Sequence, residues 1–223
     1  MKSGSSRSSF RTALVLIALA IVSSVGLSTP ASAQDVERGR ELFQLCASCH
    51  GAAGDGNELY LAPAIGGLPL WYLEGQLTKF RDGGRGTHFD DLQGMRMRPM
   101  ALSLRTERGD DLKDVAAYTA SLPVEKPAPT LTGGDAARGA THYLVCQACH
   151  GAAGQGVQAT NGPPLANQSD WYLLSSIERF KSGVRGSSPG DAKGAVMRGM
   201  ANILQDEQAM KDVIAHMTSL AGK

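Results

Sequence analysis

Two copies of one five-residue motif constrain this chain more than any other feature. They are Cys46-Ala47-Ser48-Cys49-His50 and Cys146-Gln147-Ala148-Cys149-His150, and they contain all four cysteines of the chain. Cys-x-x-Cys-His is the attachment motif of c-type haem, in which two thiols bond to the porphyrin and the histidine binds the iron. The motifs therefore predict two covalently attached haems. The predicted thioether residues are Cys46, Cys49, Cys146 and Cys149, and the predicted iron ligands are His50 and His150.

The same cysteine spacing also occurs in redox disulfides and in halves of zinc sites. A zinc site built from both motifs would have to bring together segments a hundred residues apart. It would also leave the position of the two histidines unexplained. We therefore interpret both motifs as haem attachment sites.

The motifs belong to a longer tandem repeat. At an offset of 100 residues the two halves match without a gap from Gly39 to Glu107, and the offset becomes 98 towards the end of each unit. The matching pairs include Gly39 and Gly139, Pro63 and Pro163, Phe80 and Phe180, Met97 and Met197, and Met100 and Met200. A unit of roughly 85 to 90 residues is long enough to be a domain rather than a solenoid repeat. The repeat therefore predicts two similar domains.

Residues 1–33 have the features of a secretory signal peptide. Lys2, Arg7 and Arg11 precede an apolar stretch, and Ala31-Ser32-Ala33 matches a cleavage site. The alternative is an uncleaved membrane anchor, but a span needs roughly 20 apolar residues, more than this stretch contains. We expect cleavage after residue 33 and export across the cytoplasmic membrane.

Three helices are predicted in each unit, and no alternating pattern indicates a strand. The first carries the haem motif at its end, the second is amphipathic and the third closes the unit. Their predicted bounds are Asp35 to Ala47, Leu70 to Arg81 and Thr106 to Leu122, and then Asp135 to Ala148, Asp170 to Ser182 and Asp206 to Leu220. The predicted fold class is all-α, with two tandem domains, each mainly three helices wrapped around one haem.

The predicted domains are residues 34–122 and 135–223. Residues 123–134 between them contain three prolines and two glycines, a composition typical of a stiff, extended linker. Without the leader the chain has 19 basic and 21 acidic residues. This balance offers no basic patch of the kind that a nucleic-acid-binding protein needs.

The distal side of each haem decides whether it carries electrons or catalyses a reaction. The candidate distal ligands in the first unit are His88, Met95, Met97 and Met100. A role that both haems need should appear in both units, but Ser188 replaces His88 and Ala195 replaces Met95. The repeat therefore leaves two pairs of candidates, Met97 with Met197 and Met100 with Met200.

Periodicity alone does not separate these two pairs of methionines. Met100 and Met200 begin an apolar run that leads into the last helix, which favours core packing. Met97 and Met197 follow an irregular, glycine-rich segment that could reach over the haem. We therefore interpret Met97 and Met197 as the distal ligands.

Two pairs of arginines also repeat, Arg85 with Arg185 and Arg98 with Arg198. Such an arginine is either a solvated surface charge, which is the commoner case, or a partner of a haem propionate, because a guanidinium matches a carboxylate in geometry. The sequence leaves both interpretations open.

Together these motifs resemble the dihaem cytochrome c4 family. The resemblance rests on the haem motif, on Pro-Ala-Ile-Gly-Gly or Pro-Pro-Leu-Ala-Asn-Gln after it, on Trp-Tyr-Leu near the second helix and on Met-x-x-Met-Ala before the last helix. It covers essentially the whole chain after residue 33. It implies two class I cytochrome c domains related by an approximate two-fold axis, with their haems facing across the domain interface.

The resemblance also implies roles for single residues. His50 and His150 correspond to the proximal ligands, and two haem c groups with His/Met ligation are expected. Met97 and Met197, seven residues before a leucine, correspond to the distal ligands. Pro63 and Pro163 correspond to the proline whose carbonyl accepts the N–H of the proximal histidine. Gly39 and Gly139 correspond to the crossing of the first and last helices.

The function that the resemblance implies is electron transfer in the periplasm. We expect a dihaem carrier between a quinol-oxidising complex or dehydrogenase and a terminal oxidase, with membrane association only through these partners. A haem subunit of a dehydrogenase or oxidase assembly would use the same residues and is an alternative. A dihaem peroxidase is the enzyme alternative, but it needs an open distal position on one haem, and the paired methionines argue against that.

Overall fold

The computed structural model describes Met1, residues 34–107 and residues 109–221. The predicted signal peptide, residues 1–33, lies outside the described residues except for Met1. Among the described helices, none combines the length and the apolar composition needed to cross a bilayer. In the same part of the chain the only β-type pairings are two isolated bridges, and the predicted all-α class is confirmed.

Each repeat folds into a short series of helices. Those of the first repeat are α1 (Val36–His50), α2 (Leu70–Arg81), α3 (Leu92–Leu102) and α4 (Asp111–Ser121). Those of the second repeat are α5 (Ala136–Tyr143), α6 (Gln147–His150), α7 (Asp170–Ser182), α8 (Ala192–Ala201) and α9 (Glu207–Ser219). A 3-10 turn follows each haem motif, at Glu58–Tyr60 and at Gln158–Thr160.

The three helices predicted in each repeat are present, and α2 and α7 have the predicted bounds. The first helix of the second repeat is divided into α5 and α6, because the Cys146 N–H bonds to the Tyr143 carbonyl and tightens the chain at that point. The structure adds α3 and α8 where the sequence predicted an irregular segment. Glycines in both helices and Pro99 in α3 lower their helix propensity, so the sequence signal is weak.

In each repeat the first helix crosses the last at a glycine. A Cβ on Gly39 would overlap the Asp114 carbonyl and lie 2.8 Å from Tyr118 Cβ. A Cβ on Gly139 would overlap the Asp212 carbonyl in the same way. The expectation that these two glycines permit a close helix crossing is confirmed.

A buried carboxylate holds the same crossing together in the second repeat. Asp212 accepts hydrogen bonds from the Asp135 backbone N–H at 2.8 Å and from Nε and Nη2 of Arg138 at 2.8 and 3.0 Å. The bond from Arg138 holds the pKa of the Asp212 carboxyl well below its usual value. Asp114 accepts from the Asp35 N–H in the same position of the first repeat.

The linker predicted at residues 123–134 has no regular secondary structure. Its end is fixed at the start of α7, where Asp170 Oδ2 accepts hydrogen bonds from the N–H groups of Thr130 and Leu131 at 2.7 and 2.8 Å. This end of the linker is therefore tied to the second repeat.

We predict that Gly39→Ala destabilises the holoprotein by about 1–3 kcal/mol, because backbone atoms of α4 would have to move to admit the methyl group. Thermal unfolding followed by circular dichroism measures this loss. Gly75→Ala in α2 is the matched control, since nothing lies within 4 Å of its added Cβ. The control should gain about 0.5–1 kcal/mol, as a helical glycine with open space at its Cβ position does when replaced by alanine. Equal stability of the two variants would contradict the close crossing.

Candidate haem sites

The histidine of each attachment motif is buried and held by one hydrogen bond. His50 and His150 end α1 and α6 and are 5% and 7% exposed. Their Nδ1 atoms lie 2.8 Å from the carbonyl oxygens of Pro63 and Pro163. Because a carbonyl only accepts, Nδ1 carries the proton and Nε2 presents its lone pair to a metal. Burial lowers the pKa of both histidines, which favours the neutral, ligating form.

A tight turn after each motif brings the proline back to the histidine. Gly51 has φ +83° and Gly151 has φ +84°, values that side-chain-bearing residues rarely adopt. The Gly56 N–H then bonds to the His50 carbonyl at 2.8 Å, and the Gly156 N–H does the same with His150. The glycine-rich sequence after each motif therefore sets the orientation of the imidazole.

The cysteines of both motifs lie beside the histidines and form no disulfide among the described residues. Cys46, Cys146 and Cys149 are half-buried, whereas Cys49 is exposed. Burial raises the pKa of the Cys46 thiol to about 11, and the Cys146 pKa is also raised by burial.

A cleft of about 340 Å³ in the second repeat brings the predicted haem residues together. Its lining includes Cys146, Cys149, His150, Met197 and Met200. Most of the remaining wall is apolar, which suits a porphyrin, and two thiols beside a ligating histidine suit its covalent attachment. The donor set of this cleft fits a haem c group.

Both candidate methionines of the second repeat face this cleft, since α8 places residues three positions apart on one side. Met197 also packs against the buried hydrophobic cluster of this repeat, whereas Met200 is not part of it. In the first repeat Met97 is half-buried and Met100 is 39% exposed. The interpretation of Met100 and Met200 as core residues was therefore wrong, because α3 and α8 keep both away from the core.

Two buried arginines offer donors that a haem propionate would fit. Arg85 and Arg185 are 8% and 9% exposed, and their guanidinium groups lie 4.3 and 4.2 Å from the ring centres of Phe80 and Phe180. Nε of each has no hydrogen-bond partner among the described residues. A buried cation with a free donor is costly unless an anion binds it. Arg85 and Arg185 would therefore hold propionates. The other repeated pair is less buried: Arg98, whose Nε also lacks a partner among the described residues, is half-buried, and Arg198 is exposed.

Residues of the first repeat contribute to the cleft of the second. Tyr72, Gln76 and Lys79 lie in its wall. Gln168 Nε2 donates a hydrogen bond to the Ala64 carbonyl at 2.9 Å, which joins the two repeats near their prolines. A second cavity, of about 220 Å³, lies between the loops that carry Arg85 and Arg185. The cleft of the second repeat therefore lies at the interface between the two repeats.

Sequence reasoning missed the charged residues of this interface, which are Lys79, Asp91, Arg179 and Asp191. They form ion pairs between the repeats, at 2.6 Å for Lys79 with Asp191 and at 3.3 Å for Arg179 with Asp91. One feature of the sequence could have indicated these residues. At the repeat offset of 100, Lys79 aligns with Arg179 and Asp91 aligns with Asp191.

Comparison with known proteins agrees with this architecture. The family model described as Cytochrome c matches residues 36–123 and 136–221. The thiosulfate dehydrogenase electron acceptor of Stutzerimonas stutzeri (strain A1501) is 32% identical over 77% of this chain and 78% of its own length. Cytochrome c4 of Pseudomonas aeruginosa is 28% identical over 86% of this chain and 90% of its own. The crystal structure of reduced cytochrome c4 from Pseudomonas stutzeri superposes with a TM-score of 0.63 and 25% identity, covering 83% of this chain and 98% of that one.

The chain belongs to the cytochrome c family, as a dihaem member similar to cytochrome c4. Its two repeats are tandem cytochrome c domains, and each carries one covalently bound haem c. Proteins of this kind carry electrons, and that general function applies to this chain.

We predict that Met97→Ala converts only the haem of the first domain to a high-spin state, and that Met197→Ala does so only in the second. Loss of a thioether ligand leaves the iron with one protein ligand, and each variant should lose about half of the ferric methionine-to-iron charge-transfer absorbance. Met100→Ala and Met200→Ala are the matched controls and should retain the full band. Loss of the band in these controls instead would reverse the assignment.

Proposed function

We propose that this protein is a periplasmic electron shuttle that accepts electrons from a dehydrogenase and delivers them to a terminal oxidase. The observation that carries the proposal is the pairing of a buried histidine with a cleft-lining methionine, His150 with Met197, at positions that His50 and Met97 share in the first domain. Two protein ligands leave no open iron position for a substrate such as peroxide. A thioether opposite histidine also favours ferrous iron and raises the reduction potential.

The electron donor that we propose is a thiosulfate dehydrogenase. Support comes from the Stutzerimonas stutzeri relative, which is named as the electron acceptor of that enzyme and is similar to this chain over most of both lengths. A quinol-oxidising complex, which the sequence also suggested, is the competing donor. The predicted leader at residues 1–33 and the covalent haem sites support a periplasmic location.

We predict that a catalytic amount of purified thiosulfate dehydrogenase reduces both haems of the ferric holoprotein when thiosulfate is present. Stopped-flow absorbance measures the reduction, and its rate should rise in proportion to enzyme concentration. Mixtures without thiosulfate or without enzyme are the controls. Reduction by a quinol-oxidising complex alone, with none by the dehydrogenase, would overturn the proposed donor but not the carrier function.

A second candidate function, that of a haem subunit bound to the same dehydrogenase, is favoured by one exposed face of α3. Leu92, Met95, Pro99 and Leu102 lie within an arc of about 80° on this helix, and the three aliphatic side chains are 66%, 48% and 51% exposed. The equivalent residues of α8 are small or polar, namely Ala192, Ala195, Gly199 and Asn202. None of these four lines the cleft of the second domain. The exposed apolar face is therefore specific to the first domain and points away from its haem.

The charges beside this face indicate what it would bind. Arg96 borders it on one side and Arg98 on the other, and α3 contains no carboxylate. Neither arginine forms an ion pair among the described residues. An apolar patch on the dehydrogenase with carboxylates at its rim would complement this face.

We predict that the triple variant Leu92→Ala, Met95→Ala, Leu102→Asn binds thiosulfate dehydrogenase roughly tenfold more weakly or worse than the unchanged protein. These are the residues that the second domain carries at the same positions, so the fold tolerates them. Sedimentation velocity of the mixed proteins measures the affinity. Leu59→Ala, which replaces an exposed apolar residue elsewhere on the first domain with the alanine that the second domain carries at position 159, is the control. Unchanged affinity in the triple variant would exclude this face as the contact.

A further inference from the structure

The helices that carry Met97 and Met197 begin at equivalent aspartates. Asp91 Oδ1 accepts a hydrogen bond from the Gly94 N–H at 3.1 Å at the start of α3. Asp191 Oδ1 accepts one from the Gly194 N–H at 3.0 Å at the start of α8. An aspartate in this position satisfies backbone donors that the first helical turn otherwise leaves free. Each methionine lies six residues after its capping aspartate, less than two turns along the helix.

These capping aspartates are almost completely buried. Asp91 is 1% exposed and Asp191 is 2% exposed. A buried carboxylate is stable only when a cation or several hydrogen-bond donors compensate its charge. One backbone N–H does not supply that compensation, so the caps depend on a charged partner.

The partner of each cap comes from the other domain. Lys79, on α2 of the first domain, places Nζ 2.6 Å from Asp191 Oδ1 in the second. Arg179, on α7 of the second domain, places Nη1 3.3 Å from Asp91 Oδ1 in the first. Lys79 and Arg179 occupy the same position of the repeat, so the contact is reciprocal, as expected for an interface with approximate two-fold symmetry.

The surrounding packing leaves these caps little freedom. A Cβ on Gly94 would overlap the Asp91 carboxylate, and a Cβ on Gly194 would overlap that of Asp191. Close by, Ser188 Oγ donates a hydrogen bond across the interface to the Gly83 carbonyl at 3.3 Å. Displacement of a cap would therefore be transmitted to the first turn of its helix rather than absorbed by a neighbouring void.

We propose that Lys79 and Arg179 are positioning residues for the distal methionine of the opposite domain. Lys79 fixes the helix of Met197, and Arg179 fixes the helix of Met97. Each domain thereby completes the distal side of the other, and neither holds its methionine fully without its neighbour. The inference rests on the proposal that Met97 and Met197 bind the irons.

The test uses the ferric holoprotein and the substitutions Lys79→Gln and Arg179→Gln. Each haem is followed by the proton NMR signals of its ligating methionine methyl group, assigned with Met97→Ala and Met197→Ala. The measured quantity is the pH at which raising the pH displaces each methionine. Lys79→Gln should lower this midpoint by about one pH unit, a tenfold change in the ligation equilibrium, for Met197 and leave Met97 unchanged. Arg179→Gln should do the reverse.

Three further variants distinguish positioning from a general effect of charge. Arg81→Gln removes a cation of α2 that pairs with Asp82 in its own domain, and it should change neither midpoint. Lys79→Arg should retain the midpoint, because it keeps the charge at the interface. Lys79→Gln combined with Asp191→Asn should restore it, because asparagine caps a helix without needing a cation.

The possible outcomes distinguish a failure of the positioning role of Lys79 and Arg179 from a failure of the assignment of Met97 and Met197 as iron ligands. Unchanged midpoints in Lys79→Gln and Arg179→Gln, or a shift confined to the domain that carries the substitution, would overturn the positioning role alone. If Lys79→Gln does not fold, failure of the double variant to restore folding and methionine ligation would overturn it as well. Absence of both methionine signals from the unsubstituted protein would overturn the ligation and the inference together.

Discussion

The hydrogen bond from each haem-motif histidine to a proline carbonyl is the contact on which both sites depend. It joins His50 to Pro63 and His150 to Pro163, at 2.8 Å in both domains. The bond assigns the proton to Nδ1 and leaves Nε2 free, so the same contact fixes both the orientation and the chemical form of the ligand. The positive-φ glycine after each histidine exists to make the turn that brings the proline back. Without that turn, a covalently attached haem would have no ordered proximal ligand.

The second constraint is the burial of charge between the domains. Asp91 and Asp191 are buried caps, and their cations come from the opposite domain. Arg85 and Arg185 are buried as well, and the free Nε of each fits a propionate. Burial and the nearby Arg85 lower the pKa of Arg185, as expected for two cations enclosed in one interface. The buried carboxylates of this interface are therefore compensated only when both domains are in place.

The sequence predicts what is local and repeated. The two motifs predict the haems, the constant offset predicts the duplication, and the apolar period of α2 and α7 predicts their bounds. The sequence does not predict α3 and α8, because their glycines and Pro99 weaken the helical signal. The aspartates that cap these helices are also paired with residues far away in the sequence. Arg179 and Asp91 are 88 positions apart, and no local pattern joins them. The exposed apolar face of α3 and the position of Met100 become visible only once that helix is known.

We propose that both haems have two protein ligands, histidine on one side and methionine on the other, so that the protein carries electrons rather than turning over a substrate. Low-temperature EPR spectroscopy of the fully oxidised holoprotein is the direct test, because it distinguishes low-spin from high-spin ferric iron and gives the amount of each. With two protein ligands on each iron, the spectrum should contain low-spin signals that integrate to two irons per chain, with no high-spin component. A high-spin signal from either haem in the unsubstituted protein would contradict it.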